Sequence, residues 1–226
     1  MKMITYLIVS ALLFSSCNVK NEPVYTKLQT DIYEINNQYF YSEEIHTYLI
    51  ELKDKVLLFD IPTYSEEIEK FILSFDKPAF AIISHGSCGI AEGTKWQEKI
   101  GLKVYAHKAD INHPWLKMKP DVFFTEMPNF AENIEVIHTP GHSAGAICVL
   151  EKNSKSLFSG DTFYGDKNGE IKDFSQENQE DYENLEDRIK SCRELLEYDF
   201  VNVYPFHYEI IIGNGKEKLR EYLKNR

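Results

Sequence analysis

Three histidines and one aspartate in this chain stand where apolar runs stop. Ala79 to Ser84 ends at His85-Gly86, and Ile134 to Ile137 leads through Thr139-Pro140-Gly141 to His142. Lys155 to Phe158 ends at Ser159-Gly160-Asp161, and Phe200 to Tyr204 ends at Pro205-Phe206-His207. Apolar runs of this length read as buried strands, and residues just past strand ends are where a rigid scaffold displays chemistry. Imidazole and carboxylate are ordinary ligands of Zn²⁺ and Fe²⁺, and imidazole also serves as a general acid or base. The same residue types build hydrogen-bonded turns, so spacing alone leaves His142 and Asp161 as either a metal pair or a polar corner.

The elements that must position these residues follow from the pattern. Pro140 fixes φ and Gly141 accepts a positive φ, which reverses the chain just before His142. Asp31 to Ile35, Tyr39 to Tyr41, Ile45 to Leu52 and Lys55 to Asp60 read as an antiparallel meander. Ser65 caps a helix whose first turn holds Glu66 and Glu67 and whose buried stripe is Ile68, Phe71, Ile72 and Phe75. A strand at Ala79 to Ser84, a helix at Ala91 to Ile100, a strand at Leu102 to Ala106 and a short helix from Lys108 to Trp115 follow. The second half has strands at Ile134 to Ile137, Ala146 to Glu151 and Lys155 to Phe158. A helix from Asp181 to Leu196, the strand Phe200 to Tyr204 and a helix from Lys216 to Lys224 complete it. Two β-rich halves, each with helices on its outer side, predict an α/β (α+β) chain with two mixed sheets packed face to face between helices.

With 226 residues, 43% hydrophobic and 27% charged, the composition is that of one globular domain. The formal charge of −11 comes without a basic stripe, which argues against a nucleic-acid partner. Met1-Lys2, an apolar run from Ile4 to Phe14 and then Ser15-Ser16 have the order of a secretory signal, too short to span a bilayer. Phe14-Ser15-Ser16-Cys17 resembles the lipobox of bacterial lipoproteins, with Phe where that family usually has Leu. The resemblance implies residues 1–16 as signal peptide, Cys17 as the lipidated residue, residues 17–27 as a tether and residues 28–226 as the domain. It places the domain in the cell envelope, held to a bacterial membrane through lipid alone. Cys88, Cys148 and Cys192 then remain, an odd number at irregular spacing and no disulfide framework.

From Asp31 to Tyr208 the chain resembles the metallo-β-lactamase fold superfamily. The resemblance rests on Thr47-Tyr48-Leu49-Ile50 with Val56 to Asp60, on Thr139-Pro140-Gly141-His142-Ser143, on Ser159-Gly160-Asp161-Thr162, and on His207 as the final histidine. It implies an αββα sandwich with a metal site between the sheets. The family's His-x-His-x-Asp-His motif is degraded, because the chain reads His85-Gly86-Ser87-Cys88-Gly89-Ile90, with Ser87, Gly89 and Ile90 at the later ligand positions. Ser, Gly and Ile cannot replace those ligands, so the usual dinuclear site is not expected. What remains is one Fe or Zn ion held by His85, His142 and Asp161, with His207 as a fourth ligand or a catalytic acid/base.

Two imidazoles and a carboxylate form the ligand set of non-haem Fe(II) oxygenases, and the superfamily's persulfide dioxygenases use these motif positions. The expected function is thus a one-metal hydrolase, or a thiol or persulfide dioxygenase-like enzyme, acting on a small molecule. The alternative is a non-catalytic binding protein whose His/Asp cluster holds no metal. Cys88 is read as filler pointing away from the cleft rather than a nucleophile, and Glu92 as a helix-start residue. His46, His107, His113 and His138 are read as structural. Phe163, Tyr164 and Phe174, with the polar stretch from Asp166 to Glu180, read as a loop that sets selectivity.

Overall fold

Strand β4 (Val56–Phe59) shows how the architecture is built, since all four of its residues are buried. Val56 and Leu58 point into a core with helix α1 (Glu66–Leu73) and helix α2 (Glu92–Ile100), through Ile68, Ile72 and Trp96. Leu57 and Phe59 point the other way, into a core shared with a second sheet through Val136, Ile147, Val149 and Phe158. Period-2 alternation with both faces apolar therefore places β4 in the middle of a layered molecule. Each large side chain so buried contributes about 1.5–3 kcal/mol relative to exposure.

The computed structural model describes residues 23–40, 43–88, 92–176, 183–224 and 226. The signal-like leader, Cys17, Gly89 and Ile90 lie outside the described residues. The first sheet runs in the order β1 (Tyr25–Gln29), β2 (Ile32–Phe40), β3 (Glu43–Glu51), β4, β5 (Ala79–Ile82), β6 (Lys103–His107), β7 (Val122–Phe124). Its first four strands pair antiparallel, and β4 to β7 pair parallel. The second sheet runs β11 (Asn202–Pro205), β10 (Ser156–Gly160), β9 (Ile147–Glu151), β8 (Ile134–His138), with β11 parallel to β10. Its outer face packs Cys148, Leu150, Leu157 and Val203 against helix α3 (Leu185–Leu195) and helix α4 (Gly215–Leu223). The result is the expected four-layer arrangement, helices outside and two mixed sheets inside. Tyr48 ties the sheets together, its buried hydroxyl donating to the Pro205 carbonyl at 2.8 Å.

Several boundaries differ from the sequence expectation. Strand β1 begins at Tyr25, inside the expected tether, because Tyr25 stacks on Phe71 and pairs across from Ile35. Strand β2 continues through Asn36-Asn37, where a break was expected. Asn37 takes a φ of 57° and the register with β3 shifts between Ile35 and Gln38, so the polar pair makes a bulge instead of an end. The helix expected from Lys108 is a single 3-10 turn, Lys108–Asp110. Helix α3 starts at Leu185, where Asn184 Oδ1 accepts from the Asp187 N–H at 3.1 Å.

Candidate metal centre

The four polar strand ends arrive at one edge of the sandwich. His85 follows β5 of the first sheet, whereas His142, Asp161 and His207 follow β8, β10 and β11 of the second. Backbone bonds lock these ends together: Ile147 N–H donates to Ser84 O at 2.7 Å, and Phe206 N–H to Gly160 O at 3.0 Å. Gly160, at φ 52°, lies so close to Ser84 that an added Cβ would meet the Ser84 Cβ at 2.5 Å, which requires glycine just before Asp161. Gly141, at φ 141°, makes the same kind of room for the Arg188 backbone, 2.2 Å from where a Cβ would stand.

Asp161 is the hub. Its Oδ2 lies 2.8 Å from His207 Nδ1, 3.4 Å from His85 Nε2 and 3.6 Å from His142 Nε2. One ligand atom each from His85, His142 and Asp161 lie within 4.8 Å of one another, and this is the one group of three such ligands among the described residues. Asp161 Oδ1 is buried and has no hydrogen-bond partner. A buried carboxylate oxygen without a partner costs on the order of 1–3 kcal/mol, a cost that a cation beside it removes. The donor set therefore fits a single Zn²⁺ or Fe²⁺ ion. His207 is drawn into the cluster through its bond to Asp161.

Electrostatics favour ligation. Burial, reinforced by His142, holds the His85 imidazolium well below its usual pKa, so the ring is neutral and keeps a lone pair. Its Nδ1 faces Ser84 Oγ at 2.8 Å, leaving Nε2 toward Asp161. Burial would raise the Asp161 carboxyl, but His207, His85 and His142 outweigh it and hold it well below the usual carboxylate range. For His207 burial acts downward, and Asp161 more than compensates, so its imidazolium is stabilised. Behind the centre, Asp60 Oδ1 accepts the Ser84 N–H at 2.6 Å, and burial pushes its carboxyl up to about 7.

Cys88 does not point away as expected: its Sγ lies 3.3 Å from His85 Nδ1 and 3.5 Å from Nε2. Burial raises its thiol well above the ordinary value, so it packs against the histidine as a neutral thiol and is no nucleophile. Glu92 holds the Tyr64 N–H at 2.6 Å, as befits a helix-start residue. Among the other histidines, His46 bridges Glu34 and the Tyr208 carbonyl, and His138 contacts the Ala144 carbonyl. Phe163, Tyr164 and Phe174 are core residues packed against α3 and α4, not a selectivity loop. The mouth beside His207 is instead a cleft of about 420 Å³ lined by Glu43, Glu44, His46, Tyr208 and Glu209. A larger groove at the opposite ends of the same strands, lined by Glu51, Lys53 and Lys77, contains no histidine.

Two site residues carried no signal in the sequence. Glu183 Oε1 lies 2.6 Å from His142 Nδ1. Arg188, 5% exposed, donates through Nε to Thr162 O at 3.0 Å and through a terminal nitrogen to Asp161 O at 2.6 Å. An arginine in the first turns of a helix is expected to be exposed, so the sequence points to no particular partner for it.

The fold is shared with solved metallo-β-lactamases. The enzyme from Pontibacter korlensis superposes with a TM-score of 0.67 over 89% of this chain and 99% of its own, at 19% identity. That from Erythrobacter litoralis gives 0.70 over 89% and 96%, at 14% identity. Residues 92–201 match the family model of the metallo-beta-lactamase superfamily. That match covers just under half of the chain. Among curated proteins, acyl-coenzyme A thioesterase MBLAC2 of Gallus gallus is 33% identical over 41% of this chain. Lactamase-like protein aptB of Emericella nidulans is 23% identical over 80% of it. These matches span only 31% and 56% of the two relatives' own lengths. The chain has the sandwich of these enzymes and a strand-end cluster, while Ser87, half-buried in a 3-10 turn, offers no imidazole.

Proposed function

We propose that this protein is a one-metal enzyme, with the ion held by His85, His142 and Asp161, that hydrolyses an ester or thioester. The observation that carries the reading is the buried, unpartnered Oδ1 of Asp161 beside a neutral imidazole and a second histidine. An ion in such a site polarises a carbonyl and lowers the pKa of water. The chain's own contribution is positioning and proton transfer. His207 is held through Nδ1 by Asp161, which leaves its buried Nε2 without a hydrogen bond, 3.9 Å from Glu43 of the cleft, to protonate a leaving alkoxide or thiolate. The similarity to a named thioesterase supports a thioester among the candidate substrates.

A second reading is supported by the donor set itself. Two imidazoles and one carboxylate suit Fe²⁺ with open positions, and a thiol or persulfide dioxygenase fits that centre. The lipobox-like Phe14-Ser15-Ser16-Cys17 supports attachment to the cell envelope through Cys17.

Metal analysis of the purified full chain tests the proposal, with about one equivalent of Zn or Fe expected. Protein that is metal-free and takes up neither ion would leave the binding-protein alternative standing. If metal is bound, hydrolysis of a neutral thioester by the zinc form, against oxygen uptake with a persulfide by the iron form, separates the two enzymes.

A further inference from the structure

We infer that Glu183 is a positioning residue for His142, fixing the tautomer and direction of the imidazole that faces the ion; this rests on the one-metal reading and adds a residue to it. His142 presents Nε2 to Asp161 at 3.6 Å and Nδ1 to Glu183 Oε1 at 2.6 Å. A carboxylate only accepts, so the proton of a neutral ring belongs on Nδ1 and the lone pair on Nε2. The two atoms are at contact distance, but the carboxylate lies off the Nδ1–H direction. Histidine ligands that give their second nitrogen to a carboxylate are oriented and made more basic by it. His85 has the matching arrangement, with Ser84 Oγ at Nδ1 and Nε2 toward Asp161.

The placement of Glu183 is built into the fold. The residue immediately precedes the N-cap Asn184, whose N–H donates to Gly141 O at 2.7 Å, and Ser191 Oγ donates to Pro140 O at 2.7 Å. The start of α3 is thereby stapled to the turn that carries His142. The Glu183 side chain is only 12% exposed. A helix N-terminus favours a nearby acid, but that preference alone does not require a carboxylate oxygen at contact distance from a ring nitrogen.

Two measurements on the full chain and on Glu183→Ala and Glu183→Gln test the inference. Long-range ¹H–¹⁵N NMR of the metal-free protein reads the His142 tautomer, and chelator competition with Zn²⁺ reads affinity. The expected result is Nδ1–H in the wild type, loss of that preference in Glu183→Ala, and Zn²⁺ affinity weakened there about 10–100-fold. Glu183→Gln, whose amide oxygen still accepts, should stay near the wild type in both. A wild-type His142 protonated on Nε2 overturns the inference. So does a Glu183→Ala protein with unchanged tautomer, whatever its affinity. Failure of the wild type to bind Zn²⁺ removes the one-metal reading and with it the positioning role toward an ion, and the NMR result then shows whether Glu183 still sets the His142 tautomer.

Discussion

His207 and Asp161 share a 2.8 Å hydrogen bond from Nδ1 to Oδ2, and it gives His207 a role apart from His85 and His142. Those two turn Nε2 inward toward the carboxylate, whereas His207 spends Nδ1 on it and keeps a buried Nε2 without a hydrogen bond, 3.9 Å from Glu43. Under the proposed function, the arrangement divides the cluster into residues that would hold the ion and a residue that would move a proton. Removing each should therefore have a different signature.

His207→Ala should lower hydrolytic turnover by about 10²–10⁴-fold, the usual worth of a general acid or base. Bound metal should stay near the wild-type stoichiometry. Steady-state kinetics beside elemental analysis checks this, and loss of the metal would make His207 a ligand instead.

His85→Ala and Asp161→Ala should each abolish stoichiometric metal uptake, because three protein ligands leave none to spare. Equilibrium dialysis against Zn²⁺ reads the effect directly. Retention of a full equivalent by either variant would place the ion elsewhere.

Asp60 makes stability depend on pH in an unusual direction. Its carboxyl is raised from 3.8 to about 7 by burial, so between those values the folded state holds a proton that the unfolded chain has released. Its contribution is fully present below about pH 4 and is lost as pH rises through about 7. Relative to the wild type, Asp60→Asn should gain stability at pH 8 compared with pH 5, by on the order of a few kcal/mol. Urea denaturation at the two pH values measures the difference, and parallel curves for the two proteins would refute it.

Arg188→Met should destabilise the protein by about 2–4 kcal/mol, since the buried carbonyls of Asp161 and Thr162 lose their donors. The guanidinium also lies 4.1 Å from the Phe174 ring centroid, a contact that methionine replaces only in part. Chemical denaturation gives the size of the loss. A change under about 0.5 kcal/mol would mean that both carbonyls find other donors.

Much of this site was legible because it lies at strand ends marked by local signals. Pro140-Gly141 announces a reversal, and the apolar runs before His85, Asp161 and His207 announce strands, so each residue could be placed without knowing its partner. Sheet twist and order then bring four separate ends to one point. Glu183 and Arg188 were not legible, because their roles exist only in tertiary contact. Glu183 lies in a polar stretch where a carboxylate is the commonest of residues, and its partner His142 is far away in sequence. Phe163, Tyr164 and Phe174 misled for the opposite reason. Aromatics in a loop beyond a polar site read as a substrate wall, yet helices α3 and α4 had apolar faces to cover and took them. Asn36-Asn37 looked like a strand end because asparagine favours turns, and one residue at positive φ let the ladder continue past it.

The placement of His85 on the first sheet and of its three companions on the second has a mechanical consequence. An ion gripped from both sides would rivet the two leaves of the sandwich, so that shearing one past the other would tear its coordination. Metal loading should then raise the melting temperature in step with ion concentration. Holo protein should come apart in a single cooperative event, because neither leaf can loosen while the other holds the shared rivet.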